Sequence, residues 1–164
     1  MLFRSTGTYV AGTDAGVETV VAKFGAVTIT QQPTVTVTAG APTAANSSVT
    51  VSHATVSADA TSSTTPDNTS LITVTLKDQF DNPLLAGSQV VTVGPFSLGS
   101  VKVGGAGEAV DNGDGTFTLH HETDGTYTGT YVAGTEAGGE TVVAKFGAVT
   151  ITQQPTVTVT AGAP

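Results

Sequence analysis

Residues 128–160 read TGTYVAGTEAGGETVVAKFGAVTITQQPTVTVT and close on Thr156-Val157-Thr158-Val159-Thr160, a strict alternation of apolar and polar β-branched residues. A period of two puts each valine on one face of an extended chain and each threonine on the other. That is a strand with one face in a core and one face in water. The rhythm recurs at residues 34–38 and 149–152. It recurs again where Ile72, Val74 and Leu76 alternate with Thr73, Thr75 and Lys77, and where Val49 and Val51 alternate with Thr50 and Ser52. Phe117 and Leu119 alternate with Thr118 and His120 in the same way. No stretch supports a helix of three turns.

Breaks between these runs come at regular spacing. Residues 64–68, residues 80–83, the Asn112-Gly113 and Asp114-Gly115 pairs, and residues 137–139 all carry turn residues. The Asn-Gly and Asp-Gly pairs are hairpin signals of the type I′ kind, and residues 137–139 read as a loop. The count is eight or nine strands of five to nine residues between Asn46 and Thr160. Short strands with a turn every 8–12 residues predict an all-β fold, a β-sandwich. Its expected core is the inward Val, Ile, Leu and Ala with Phe80, Phe96, Phe117, Tyr127, Tyr131 and Phe146.

Composition agrees. Of 164 residues, 32 are threonine and 23 valine, and only 11% are charged, where roughly 25% is usual. There is no cysteine and no tryptophan, so neither a disulfide framework nor a Cys-type metal site is available. The net charge of −8 and five scattered cations, Arg4, Lys23, Lys77, Lys102 and Lys145, argue against a nucleic-acid partner, because phosphate contacts need Lys and Arg. No apolar run approaches the ~18 residues of a membrane span, so membrane insertion by this segment is not expected.

Residues 6–42 repeat residues 128–164 at an offset of 122, with 35 of 37 positions identical. The differences are Asp14 against Glu136 and Val17 against Gly139. A period of 122 is the length of a domain, not of a solenoid repeat. The chain thus reads as a slice of a tandem array: residues 1–41 are the last strands of a preceding repeat plus a linker, and 42–164 are one complete domain ending in the next linker. Adjacent identical repeats of the same chain are the expected partners. Residues 1–5 break the match, which begins at Thr6, and read as a truncation or fusion scar. Three strands without their sheet partners expose an apolar face, so residues 1–41 are expected to be poorly packed or to pair with a neighbouring chain. Residues 6–38 are also expected to compete with 128–160 for one slot. The proline-bearing segment 39–46 reads as a semi-rigid link.

Chemistry is sparse. Glu108, Asp111, Asn112 and Asp114 around one turn, and Asp78, Asp81 and Asn82 around another, are the calcium candidates, since calcium takes six to eight oxygens. Their spacing does not fit an EF-hand, and Asn-Gly and Asp-Gly equally serve positive φ and Asx-type bonds. No other cofactor is expected. His120 and His121, adjacent on a strand, point to opposite faces, and with His53 they form no zinc set. No serine sits in G-x-S-x-G, residues 104–107 lack the Lys-Ser/Thr of a phosphate loop, and no catalytic residue is assigned.

Four stretches carry a family likeness: Ser57-Ala58-Asp59-Ala60-Thr61-Ser62; Val74-Thr75-Leu76-Lys77-Asp78-Gln79-Phe80-Asp81-Asn82-Pro83 followed by Ala86-Gly87; Asp111-Asn112-Gly113-Asp114-Gly115-Thr116-Phe117-Thr118; and Ala133-Gly134-Thr135-Glu136-Ala137-Gly138 ahead of residues 141–145. In this order, with the Ala-Gly-Ala-Pro link, the chain resembles the bacterial immunoglobulin-like (group 1) domains of the invasin/intimin adhesins. Two positions depart from the family: Ala60 and Asp81 stand where it often has glycine. Residues 119–130 look like an added or duplicated hairpin, with Asp114-Gly115-Thr116-Phe117 echoed by Asp124-Gly125-Thr126-Tyr127. The resemblance implies an immunoglobulin-like sandwich of Greek-key type. It also implies a bacterial cell-surface protein, outer-membrane-anchored or secreted, whose stacked domains extend a distal tip that meets the host cell or extracellular matrix. The leading expectation is a structural spacer repeat, not an enzyme. The alternative is a binding module whose segment 94–107 or 119–130 recognises a host glycan or protein.

Overall fold

The structure, a computed structural model, describes residues 5–58, 68–87 and 89–162. The turn expected at residues 64–67, the family motif at Asp59-Ala60-Thr61-Ser62 and the first four residues lie outside them. In chain order the strands are β1 (Gly16–Thr19), β2 (Lys23–Phe24), β3 (Val27–Thr28), β4 (Thr34–Val37), β5 (Ser48–Val51), β6 (Thr55–Ala58), β7 (Thr69–Thr75), β8 (Val91–Val93) and β9 (Gly99–Val101). They continue as β10 (Val110–Asp111), β11 (Phe117–Thr118), β12 (His120–His121), β13 (Thr126–Ala133), β14 (Gly138–Thr141), β15 (Ala144–Phe146), β16 (Val149–Thr150) and β17 (Thr156–Ala161).

Strands β5 to β17 close a two-layer sandwich. One layer runs β12-β13-β7-β5, and β9 joins β13 on the edge that β12 leaves open further along. The other layer is β10-β11-β8-β15-β16 together with β14-β17-β6. Val142 N–H to the Pro155 carbonyl (2.8 Å) and Ile151 N–H to the Ala144 carbonyl (2.9 Å) bridge these two groups. They make β14–β15 and β16–β17 one long hairpin, interrupted midway. Strands cross between layers at β5–β6, β6–β7, β7–β8, β8–β9, β9–β10, β11–β12 and β13–β14, in the Greek-key manner of closing a sandwich. β6 pairs in parallel with β17, while β5, just before it, pairs with β7 in the opposite layer.

The valine/threonine rhythm does what it predicts. Along β7 Ser70, Ile72 and Val74 are buried between half-buried threonines and the exposed Leu71, and along β17 Val157 and Val159 are buried between exposed threonines. Val49, Ile72, Val74, Tyr127 and Tyr131 of one layer meet Val91, Val93, Phe117, Ala144, Phe146, Val157 and Val159 of the other in one core. Each such aliphatic side chain contributes about 1.5–3 kcal/mol by leaving water. Phe96 joins the layers, its ring centroid 5.4 Å from Tyr131 and 6.2 Å from Phe117. Gly129 sits inward on β13 because a Cβ there would stand 2.5 Å from a Leu119 methyl.

Four expectations need correction. Phe80 is 51% exposed, not core; its N–H is bonded to Asp78 within a tight turn, which leaves the ring outside the sheets. The strands from β5 onward number thirteen among the described residues, of two to eight residues each, because breaks such as the one at Val142–Val143 divide long runs. Gly138 and Gly139 belong to β14 and not to a loop; Gly138 is glycine because a Cβ would stand 2.8 Å from a Leu98 methyl. The hairpin of β10 and β11 does form, but through a five-residue connection, 112–116, instead of a two-residue turn. Residues 119–130 make a hairpin within the sandwich, with His121 opposite Tyr127.

The two copies of the repeated segment fold alike locally and differ in setting. Gly16 pairs with Val37 and Lys23 with Thr28; Gly138 pairs with Val159 and Lys145 with Thr150. Even the bridging bonds recur, Val20 N–H to Pro33 and Ile29 N–H to Ala22. Yet Phe24 is 84% exposed where Phe146 is 6%, and Ile29 is 47% exposed where Ile151 is 0%.

Candidate functional site: the joint between the repeated segment and the sandwich

The N-terminal copy meets the sandwich at the turn after β7. Asp78, buried at that turn, accepts at Oδ2 from the Gly40 N–H (2.8 Å) and the Asn82 amide (3.0 Å). Its Oδ1 accepts from the N–H groups of Phe80 (2.8 Å) and Asn82 (3.0 Å). These donors, the Asn82 amide foremost, hold its carboxyl down at about 2 against the opposing effect of burial. Asp81 beside it has φ 66°, which explains why this position suits glycine and tolerates the short polar Asp.

Asn82 carries the turn across to the preceding copy. Its Nδ2 donates to the Thr13 carbonyl at 2.7 Å, and its Oδ1 accepts the Ala15 N–H at 2.8 Å. The link between is stapled as well. Thr43 N–H donates to the Lys77 carbonyl (2.8 Å), Lys77 N–H to Ser47 Oγ (3.1 Å) and Asn46 Nδ2 to Asp81 (3.2 Å). The segment expected to be stiff through proline is thus also tied by hydrogen bonds. Beside it lies a cavity of about 620 Å³, walled by Val17, Val37 and Ala39 on one side and Leu84 and Leu85 on the other.

The calcium candidates divide. Glu108 stands apart, ion-paired to Lys102 at 2.7 Å and bonded to the Gly105 N–H at 2.8 Å; the Lys102 contact holds its carboxyl low. Asp111 accepts the Gly113 N–H, Asn112 bonds Thr116 and Thr118, and Asp114 accepts both the N–H (3.0 Å) and the hydroxyl (2.6 Å) of Thr116. Asp124 repeats this with Thr126, at 3.0 and 2.7 Å. The echoed Asp-Gly-Thr therefore builds the same Asx turn twice, with Gly115 at φ 84° and Gly125 at φ 86°. Asp78, Asp81 and Asn82 serve the joint. Among the described residues no three His, Asp or Glu side chains are placed to share an ion.

His53 is exposed, and His120 and His121 lie half-buried on the edge strand β12. The His121 ring stands edge-on to Tyr127, centroids 4.9 Å apart. Residues 97–101 of segment 94–107 are pinned to the sandwich, while 102–107 are exposed. Glu140, buried on β14, accepts the N–H groups of Ser97 (2.9 Å) and Leu98, and β9 is a paired strand. Tyr127 of segment 119–130 is buried core. Glu140 went unremarked in the sequence, though the signal was there: it shares the inward face with Val142, Ala144 and Phe146 by period-two counting. In the N-terminal copy the equivalent Glu18 instead accepts from the Tyr9 hydroxyl at 2.8 Å, while burial, then the Glu140 charge, pushes the equivalent Tyr131 up to about 12.

The class is therefore an immunoglobulin-like Greek-key sandwich joined by a bonded link to a copy of its own final strands. Among solved structures, Yersinia pseudotuberculosis InvD matches with TM-score 0.61 and 25% identity over 93% of this chain and 39% of that one. The Escherichia coli adhesin FdeC matches with TM-score 0.53 and 22% identity over 80% and 37%. Invasin, a bacterial integrin-binding protein, matches with TM-score 0.53 and 23% identity over 90% and 25%. The immunoglobulin-like sandwich of this chain is thus similar in fold to domains of these bacterial adhesins. The chain spans well under half the length of these structures. No protein-family model and no curated protein matches it.

Proposed function

We propose that this chain is a spacer section of the stalk of a bacterial surface adhesin, residues 1–41 being the last strands of one repeat and 42–164 a whole repeat. Each repeat adds at least about 27 Å if β13, the longest described strand at 8 residues, runs along the stalk. Contact with the host cell or matrix falls to other domains of the full-length adhesin. The observation that carries this reading is the bridge from Asn82 to Thr13 and Ala15, made together with the Asp78 bond to Gly40. A stalk needs joints that keep consecutive units in line, and directional hydrogen bonds to backbone groups do that whatever the neighbouring side chains are. Of the segments a binding module would use, 94–107 and 119–130, the stretch bonded to Glu140, strand β9 and Tyr127 are part of the sandwich, which favours the spacer reading.

The test is a distance distribution between spin labels at Thr28→Cys and Thr150→Cys, the chain having no cysteine of its own. A narrow distribution that broadens in Asn82→Ala, with no saturable binding to glycan arrays or host cells, supports the spacer. A broad distribution in the parent chain, or saturable binding, refutes it.

A further inference from the structure

The two positions that separate the copies both lie at the joint. Asp14 sits between Thr13 and Ala15, which bond Asn82, and Val17 walls the cavity opposite Leu84 and Leu85. The remaining 35 positions are identical. The glycine that replaces Val17 in the second copy is not demanded by its own strand. Gly139 pairs with Thr158 as Val17 pairs with Thr36. It has no left-handed φ, and a Cβ there would meet only Thr156 Cγ2 at an ordinary 3.7 Å. At the neighbouring Gly138, by contrast, a Cβ would stand 2.8 Å from a Leu98 methyl and the leucine would have to shift. Among the described residues nothing inside the sandwich therefore selects glycine at 139, and strand propensity opposes it. What position 17 does have is a face toward the adjoining unit.

We infer that position 17, and position 139 as its equivalent, sets the stiffness of the joint, and that the partner it fits is the turn loop of the adjoining repeat at Leu84 and Leu85. Valine, 67% exposed, lines the cavity between the units and obstructs bending into it. Glycine removes that wall while leaving the Asn82 and Asp78 bonds in place. An array with valine at some joints and glycine at others has stiff and compliant joints in a fixed order.

This inference rests on the joint described under the proposed function, and the same labels at Thr28→Cys and Thr150→Cys separate the two. Val17→Gly is expected to broaden the distance distribution while the melting midpoint of the sandwich stays unchanged. Thr19→Gly weakens the same strand without touching the cavity, and is expected to leave the distribution as it was. If Val17→Gly leaves the parent's narrow distribution unaltered, or if Thr19→Gly broadens it equally, the inference is overturned and the bonded joint survives. A distribution already broad in the parent overturns both.

Discussion

Phe24 and Phe146 occupy the same place in the same sequence, so truncating each to alanine removes an identical group from two different settings. Phe146 is 6% exposed and packs in the core between the layers, whereas Phe24 is 84% exposed. Losing the buried ring forfeits its transfer free energy and leaves a cavity that the sheets close only in part, about 3–5 kcal/mol together. Losing the exposed ring falls within about 0.5 kcal/mol of neutral. For a sandwich of this size the first corresponds to a fall in melting midpoint of roughly 10–20 °C, the second to one or two degrees. Urea unfolding of Phe24→Ala and Phe146→Ala, followed by far-UV circular dichroism and by near-UV tyrosine signals, reads the difference directly. Equal losses would refute the assignment of residues 128–160 to the slot and 6–38 to the outside. A larger loss at Phe24 would mean that the first copy fills the slot, the exchange that near-identity of the copies invites.

Three other outcomes follow. The Asp78 carboxyl, held at about 2 by its donors, is deprotonated in the fold well below its ordinary value; its contribution is complete above about pH 4 and is lost as pH falls toward 2. Stability measured across that range should fall, and fall less in Asp78→Asn; an equal slope refutes the role given to it. Because the carboxylates of Glu108, Asp111 and Asp114 are engaged by Lys102 or by their own turns, melting with calcium and with chelator should give one midpoint, and a calcium-dependent rise would restore a metal site at that end. Amide exchange should be slow along β13 and β7 and fast along β1 and β4, whose side chains are largely exposed; equal protection of both copies would contradict the open setting of the first.

Much of this fold was legible because its strands are half-buried and alternate. Val157 and Val159 or Ile72 and Val74 announce their face by period alone. Phe80 misled because hydrophobicity says nothing about a turn that holds a ring outside the sheets. The joint was half legible: the acids and amides of 78–82 stood out as a cluster, but their role depends on Thr13, Ala15 and Gly40, up to 69 residues away in sequence. Glu140 was missed for the related reason that its partners, Ser97 and Leu98, come from a loop in no local pattern with it.

The duplicated segment separates the two kinds of information within one molecule. Both copies form the same hairpins in the same register, around Gly25 at φ 59° and Gly147 at φ 55°. Those bonds join residues close in the chain, so the segment's own sequence determined them. Whether its valines and phenylalanine are wet or dry, and whether its glutamate bonds its own tyrosine or a distant loop, was decided by residues 43–127. Only the second copy has β6 beside its last strand and β8 beside Ala144 and Phe146, and burial needs that second surface, which no local sequence can supply.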